Sequence, residues 1–232
     1  MILRTYSFTL HPVNPDTVQN NTLRAYFEKA LSTYLIFHEN DIGPLIHRYP
    51  VIQLKIIDDM QMVIGINEGA SALLEICSGN TEIQVNDTTY RISGNGRSLK
   101  IEEFGHSEKM RSYEFVTPWL ALTQENYRKF YTLKGKEQRD TFMGTVLTGN
   151  LRSLARSVGY DSPLEITGET QVKFRKDRIE NIPDMVFTGK FSVNFSIPDY
   201  LGIGKSVSRG FGTVRQALQS RSPTGTGPSG KF

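Results

Sequence analysis

Apolar residues change their period along this chain, and the changes mark its elements. Ile2–Leu10 alternates as a half-buried strand does, and His11-Pro12 followed by Asn14-Pro15-Asp16 ends it. From Thr17 to Ile36 the spacing turns helical, with Leu23, Phe27, Ala30, Leu31 and Tyr34 on one apolar face. His38–Pro50 keeps neither period and holds the breaker Gly43-Pro44, while Tyr49, preceding Pro50, is biased to extended backbone. Val51–Ile57 and Met60–Ile66 read as a hairpin around Asp58-Asp59, and Asn67–Cys77 as a short helix burying Ala70, Leu73, Leu74 and Cys77. With strands at Glu82–Val85 and Thr89–Ile92 the order is β-α-β-β-α-β, the ferredoxin-like order.

Ser93-Gly94-Asn95-Gly96 opens a second region. Leu99–Phe104 and Tyr113–Thr117 are strands separated by a polar turn, Gly105–Lys109, that carries His106. Tyr127, Phe130 and Tyr131 suit one helix; Phe142, Val146, Leu147, Leu151 and Leu154 suit a longer one ending at Gly159. Glu169–Arg175 and Met185–Ile197 form a long pair, a glycine-rich stretch follows, and Gly212–Ala217 returns as a last strand. This is strand, helix, strand, strand again, with the glycine-rich stretch where a final helix would stand. The expected fold is therefore α+β, two tandem ferredoxin-like (RRM-like) domains at 1–100 and 101–219, joined within 93–112. Ser220–Phe232, rich in Ser, Gly, Thr and Pro, has no apolar face and is expected to be a disordered tail.

Charge changes the picture mainly at one end. Hydrophobic content of 38% with 22% charged residues describes a soluble globular protein, and the formal charge is only +3. From Tyr200 onward, however, Lys205, Arg209, Arg215, Arg221 and Lys231 face no Asp or Glu, so an anionic ligand feels most pull there. The single cysteine, Cys77, excludes an internal disulfide and a Cys-rich zinc site and fits a reducing compartment. The start is no signal peptide and no apolar run is long enough for a membrane span, so the expected location is cytoplasmic, with no membrane partner.

The chemistry points to Leu201–Val214. Two Gly-X-Gly pairs, Gly202/Gly204 and Gly210/Gly212, enclose Lys205, Ser206 and Arg209, and bare N–H groups beside cations make a phosphate site. A plain connection between strands is the alternative reading. Gly204-Lys205-Ser206 is not a P-loop, because that motif needs glycine where Asp199 stands, and a dinucleotide fingerprint would need glycine in place of Val207.

Taken whole, Gly202–Val214 resembles the C-terminal glycine-rich loop of the RAMP superfamily of CRISPR-associated proteins. His47-Arg48-Tyr49-Pro50-Val51-Ile52-Gln53-Leu54-Lys55, and Pro118–Leu122 with Glu125-Asn126-Tyr127, are similar to the repeat-cleaving endoribonucleases of that superfamily. The resemblance touches both halves. It implies the tandem ferredoxin-like fold and a metal-independent endoribonuclease, without cofactor, acting on CRISPR repeat RNA. In such enzymes the 2′-hydroxyl attacks the adjacent phosphorus, leaving a 2′,3′-cyclic phosphate and a 5′-hydroxyl. A non-catalytic RNA-binding subunit of a CRISPR interference complex is the alternative, and an effector complex or a second copy of the chain are further partners it leaves open.

The chemistry needs a base at the 2′-oxygen, an acid at the leaving 5′-oxygen and cations on the phosphorane. Histidine suits proton transfer near neutral pH. His11 and His106 read as surface residues. His38 and His47 lie where the resemblance implies the general base, and His38 is favoured, although Asn40 stands where members of this branch often carry a second nearby histidine. Tyr34 is a candidate for positioning the scissile phosphate, against core packing on its helix stripe, and Lys55 for transition-state charge, against simple solvation. Lys173 and Arg175, with Lys176 and Arg178 beyond, make a basic strand suited to RNA phosphates.

Overall fold

Strand β1 (Ile2–Pro12) is the axis of the first half, because both of its faces and both of its edges are used. In the computed structural model, which describes residues 1–14, 20–38, 49–161, 164–179 and 182–217, β1 pairs with β3 (Met60–Ile66) along one edge. Its other edge is shared: Leu10–Pro12 pairs with β5 (Thr88–Ile92) and Ile2–Ser7 with β6 (Ser98–Glu103). With β2 (Ile52–Ile57) and β4 (Glu82–Val85) outside them, the main path runs β2-β3-β1-β5-β4.

Alternation along β1 sends Tyr6, Phe8 and Leu10 to one face, where they pack with Leu23 and Phe27 of α1 (Asn20–His38) and Ala70 and Leu73 of α2 (Glu68–Cys77). Leu3, out of phase with them, joins a different cluster. Ile64, Ile66, Phe104 and Leu3 pack with Trp119, Phe187, Phe195 and Leu147 of the second half. The two ferredoxin-like units therefore share one apolar core across their junction.

The second sheet runs β10-β7-β9-β8, formed by β7 (Gly105–Phe115), β8 (Gly168–Ile179), β9 (Ile182–Ser196) and β10 (Val214–Gln216). Helices α3 (Gln124–Thr132) and α4 (Lys136–Ser157) supply Phe130, Met143, Val146, Leu147, Leu151 and Leu154 to the core that covers Phe115, Phe187 and Phe191. Thr123 caps α3, accepting the Asn126 N–H at 3.2 Å. The chain from Ile197 to Thr213, rather than a helix, closes this half.

Two expectations are corrected. Gly105–Lys109 is not a turn but the start of β7, with Phe104 alone between β6 and β7. Its polarity reflects a solvent-facing strand whose register shifts between His106 and Arg111. The Tyr160 hydroxyl accepts the His106 N–H at 2.9 Å, so the chain here is pinned to the second half. Accordingly β6, expected in the second region, belongs to the first sheet through its ladder with β1. The tail 220–232 lies outside the described residues, and no helix among those described is long and apolar enough to cross a membrane.

The shared core predicts joint unfolding. Leu3→Ala should cost about 2–5 kcal/mol and shift a single denaturant transition reported equally by probes in both halves. Two separated transitions, with only the first displaced, would contradict a common core.

Candidate functional site

The polar residues of β2 are what hold the glycine-rich stretch in place. Leu54 faces the helices, so its neighbours Gln53 and Lys55 point to the opposite face, where alternation alone would leave them in solvent. Both are buried, because the loop lies over them. The Gly202 N–H is shared between the Gln53 Oε1 at 3.1 Å and the Tyr49 hydroxyl at 3.2 Å, while that hydroxyl donates to the Gly202 carbonyl at 2.7 Å. Lys55 Nζ donates to Gln53 Oε1 at 2.6 Å and to the Val207 carbonyl at 3.4 Å.

The glycines make this docking possible. A Cβ on Gly210, whose φ is +89°, would stand 3.0 Å from the Leu54 carbonyl oxygen and 3.3 Å from the Lys55 Cα. One on Gly204, at φ +94°, would meet the Leu120 carbonyl and the Trp119 indole nitrogen, both at 2.7 Å. Thr117 locks the far side, its hydroxyl donating to the Gly210 carbonyl at 2.6 Å and accepting the Thr213 N–H at 2.9 Å.

The expectation of a loop full of bare N–H groups is thereby corrected. Ile203, Lys205, Arg209, Gly210, Phe211 and Gly212 all donate to backbone carbonyls within or beside the loop. Among the described residues, the N–H groups of Gly204, Ser206, Val207 and Ser208 remain without a partner. Of these, Gly204, Ser206 and Ser208 lie at the surface with the exposed Lys205, whereas Val207 is buried, and Ser206 accepts a hydrogen bond from the half-buried Arg209 guanidinium at 2.8 Å. A cavity of about 360 Å³ opens there, bounded by Tyr49, Pro50, residues 204–208, Thr123 and the Asn150–Ser157 face of α4.

Lys55 is the electrostatic anomaly. No carboxylate pairs with it among the described residues, and burial alone pulls its ammonium down to about 7. Burial likewise raises the Tyr49 hydroxyl, keeping it a neutral donor to Gly202. Because Lys55 is wholly enclosed, it reaches no ligand while the loop is seated, so both the exposed and the charge-supplying readings of it give way to a structural one.

The remaining candidates are spread out. Tyr34 is half-buried and lines a separate cleft with Arg4, Asn67 and Ser71, sharing no residue with the loop cavity. His38 is the last residue of α1, and His47, two positions before Tyr49 in sequence, lies outside the described residues. Lys173 and Arg175 are exposed on edge strand β8, at the opposite edge of the second sheet from β10, which follows the loop. Arg175 pairs with Asp177 at 3.0 Å, and Lys176 stands over the Tyr131 ring at 5.7 Å. The structure thus brings Gly202–Gly212 to Tyr49, Gln53 and α4, but not to Tyr34, Lys173 or Arg175. The sequence does not mark Tyr49, Gln53 and Asn150 as site residues; the one sign is two polar residues in phase on the otherwise apolar β2.

The fold and site thus define a protein of two ferredoxin-like domains with a glycine-rich loop seated against both. The Cas6b N-terminal domain family matches residues 1–103 and the Cas6b C-terminal domain family matches residues 105–217. The chain belongs to the Cas6b family. A crystal structure of Cas6b superposes with a TM-score of 0.73 at 30% identity, covering 94% of this chain and all of that one. A CRISPR RNA processing endoribonuclease Cas6b does so with a TM-score of 0.70, also at 30% identity and with the same coverage. An uncharacterized protein of Methanocaldococcus jannaschii is 32% identical over 146 residues, 60% of this chain and 95% of its own length.

Lys55 gives the stability of the docked loop a pH dependence. An unfolded lysine titrates near ~10.4, so between about pH 7 and that value the unfolded chain holds a proton that the folded chain has lost. Stability then rises with pH across this window, by at most roughly 1.4 kcal/mol per unit. Lys55→Met should remove that rise in urea unfolding at pH 7.5 and 9.5. Parallel behaviour of the two proteins would show that Lys55 is charged in the folded state.

Proposed function

We propose that this protein is a CRISPR RNA processing endoribonuclease that cuts precursor RNA within its repeats, without a metal, by attack of the 2′-hydroxyl on the adjacent phosphorus. The observation that carries the reading is the match of both halves to Cas6b domains, of which one solved member is a CRISPR RNA processing endoribonuclease. The seated loop, with its outward cations, supports it.

In this reading His38 takes the 2′-proton as general base, with His47 as the second histidine of the same stretch of sequence and Tyr34 as a positioning group. Lys205, Ser206, Arg209 and the outward N–H groups of the loop hold the RNA backbone, Gly202, Gly204, Gly210 and Gly212 fix the loop that carries them, and Lys173 and Arg175 grip phosphates farther along the RNA. The enclosed Lys55 takes no part in the chemistry. Loss of the 2′-oxygen removes the nucleophile, which makes the substrate RNA and not DNA.

Incubation with the host's repeat RNA in EDTA should give products ending in a 2′,3′-cyclic phosphate and a 5′-hydroxyl. A single 2′-deoxynucleotide at the cut should abolish the reaction, and His38→Ala should slow single-turnover cleavage by about 10²–10⁴. Undiminished cleavage by that variant moves the base to His47, tested as His47→Ala. Tight repeat binding with no cleavage by the unaltered protein would instead mark a non-catalytic RNA-binding subunit.

A further inference from the structure

The cavity beside the loop has a chemistry of its own. Its lining combines the apolar side chains of Pro50, Ala121 and Leu154 with polar ones, and none of the described residues that line it is acidic. Asn150 lines the cavity with a fixed orientation. The Trp119 indole N–H, which can only donate, gives its hydrogen to the Asn150 Oδ1 at 3.2 Å. The amide nitrogen must therefore point away from Trp119, and it donates to nothing among the described residues. The Ser153 hydroxyl, less than one turn along the same helix face, and the Ser208 hydroxyl across the cavity are likewise without partners there. Lys205 stands on the loop side.

An apolar seat, a preset amide donor, two open hydroxyls and one cation on a single side fit a molecule that is flat and hydrogen-bonding at one end and anionic at the other. A volume of about 360 Å³ admits one such unit and no duplex. We infer that this cavity is a subsite for a single unpaired nucleotide of the RNA, its base lying on Leu154 and Pro50 with its edge read by Asn150 and Ser153, and its phosphate toward Lys205. The inference rests on the proposed action on repeat RNA and adds to it a position at which the base itself is read. Because Asn150 is held by the core tryptophan, the donor is in place before RNA arrives, and a base that cannot accept from it leaves it unpaired. Phosphate contacts along the loop fix register, whereas this subsite discriminates among bases.

The test uses the full chain and repeat RNA made uncleavable by a 2′-deoxynucleotide at the cut, with one abasic nucleotide moved through the unpaired positions. One position should weaken equilibrium binding by roughly tenfold, the scale of losing a seated base, while its neighbours matter little. Ser153→Leu, an exposed helix position whose larger side chain fills the cavity, should weaken the intact RNA by a similar factor and abolish the abasic effect at that position alone. Asn150→Asp keeps the acceptor for Trp119 but replaces the donor, and should lose the same position's base preference. If the wild-type protein binds and cleaves repeat RNA but no position couples to Ser153→Leu, the subsite is overturned and the ribonuclease reading stands. If it neither binds nor cleaves repeat RNA, both fall.

Discussion

The polar contacts between β2 and the glycine-rich loop converge on the Gln53 side-chain oxygen. It accepts from the Gly202 N–H and from the Lys55 amino group, while its amide nitrogen donates to the Pro50 carbonyl at 3.0 Å. One uncharged side chain thus ties the start of the glycine-rich loop, the buried lysine and the entry to β2 together. Such a polar knot is stable only if it is fully paired, since an unsatisfied group in a dry interior costs more than its bond would contribute. The shared apolar core around Leu3, Ile64, Ile66 and Phe104 supplies the dry surroundings, and the knot fixes which surfaces meet.

The loop consequently has two faces with different physics. Inward, its glycines let the backbone approach β2 and Trp119 more closely than any side chain would allow, and its N–H groups are spent on carbonyls. Outward, Gly204, Ser206 and Ser208 keep N–H groups that have no partner among the described residues, beside Lys205. A basic glycine-rich stretch is therefore, inward, a joint between the two domains. The same division explains how a lysine can be buried without a carboxylate: its partners are the neutral oxygens that the joint already needs.

Much of this was legible in the sequence. Tyr6, Phe8 and Leu10 against Leu23 and Phe27, and the paired runs of β8 and β9, announce the α+β order, because alternation and helical period are local properties. What was not legible is non-local. Nothing in the string Gly105–Lys109 says that a polar run continues as a bulged strand, since that depends on Tyr160 packing beside it. Nor does Val51–Ile57 reveal that the loop some 150 residues later covers Gln53 and Lys55. The spacing of the glycines marks the loop but not where it seats, because close approach to a ligand and close approach to the protein's own backbone demand the same residue. Asn150 was invisible for a similar reason: its orientation is set by Trp119, distant in sequence.

The central claim, that the loop is seated inward by its own chain and meets RNA only outward, is tested most directly by amide hydrogen exchange followed by NMR, with and without uncleavable repeat RNA. Gly202 and Gly212 should be strongly protected in the free protein and unchanged by RNA, whereas Gly204, Ser206 and Ser208 should exchange freely until RNA is added. Rapid exchange of Gly202 and Gly212 in the free protein, with protection arriving across the whole loop only on binding, would contradict the account.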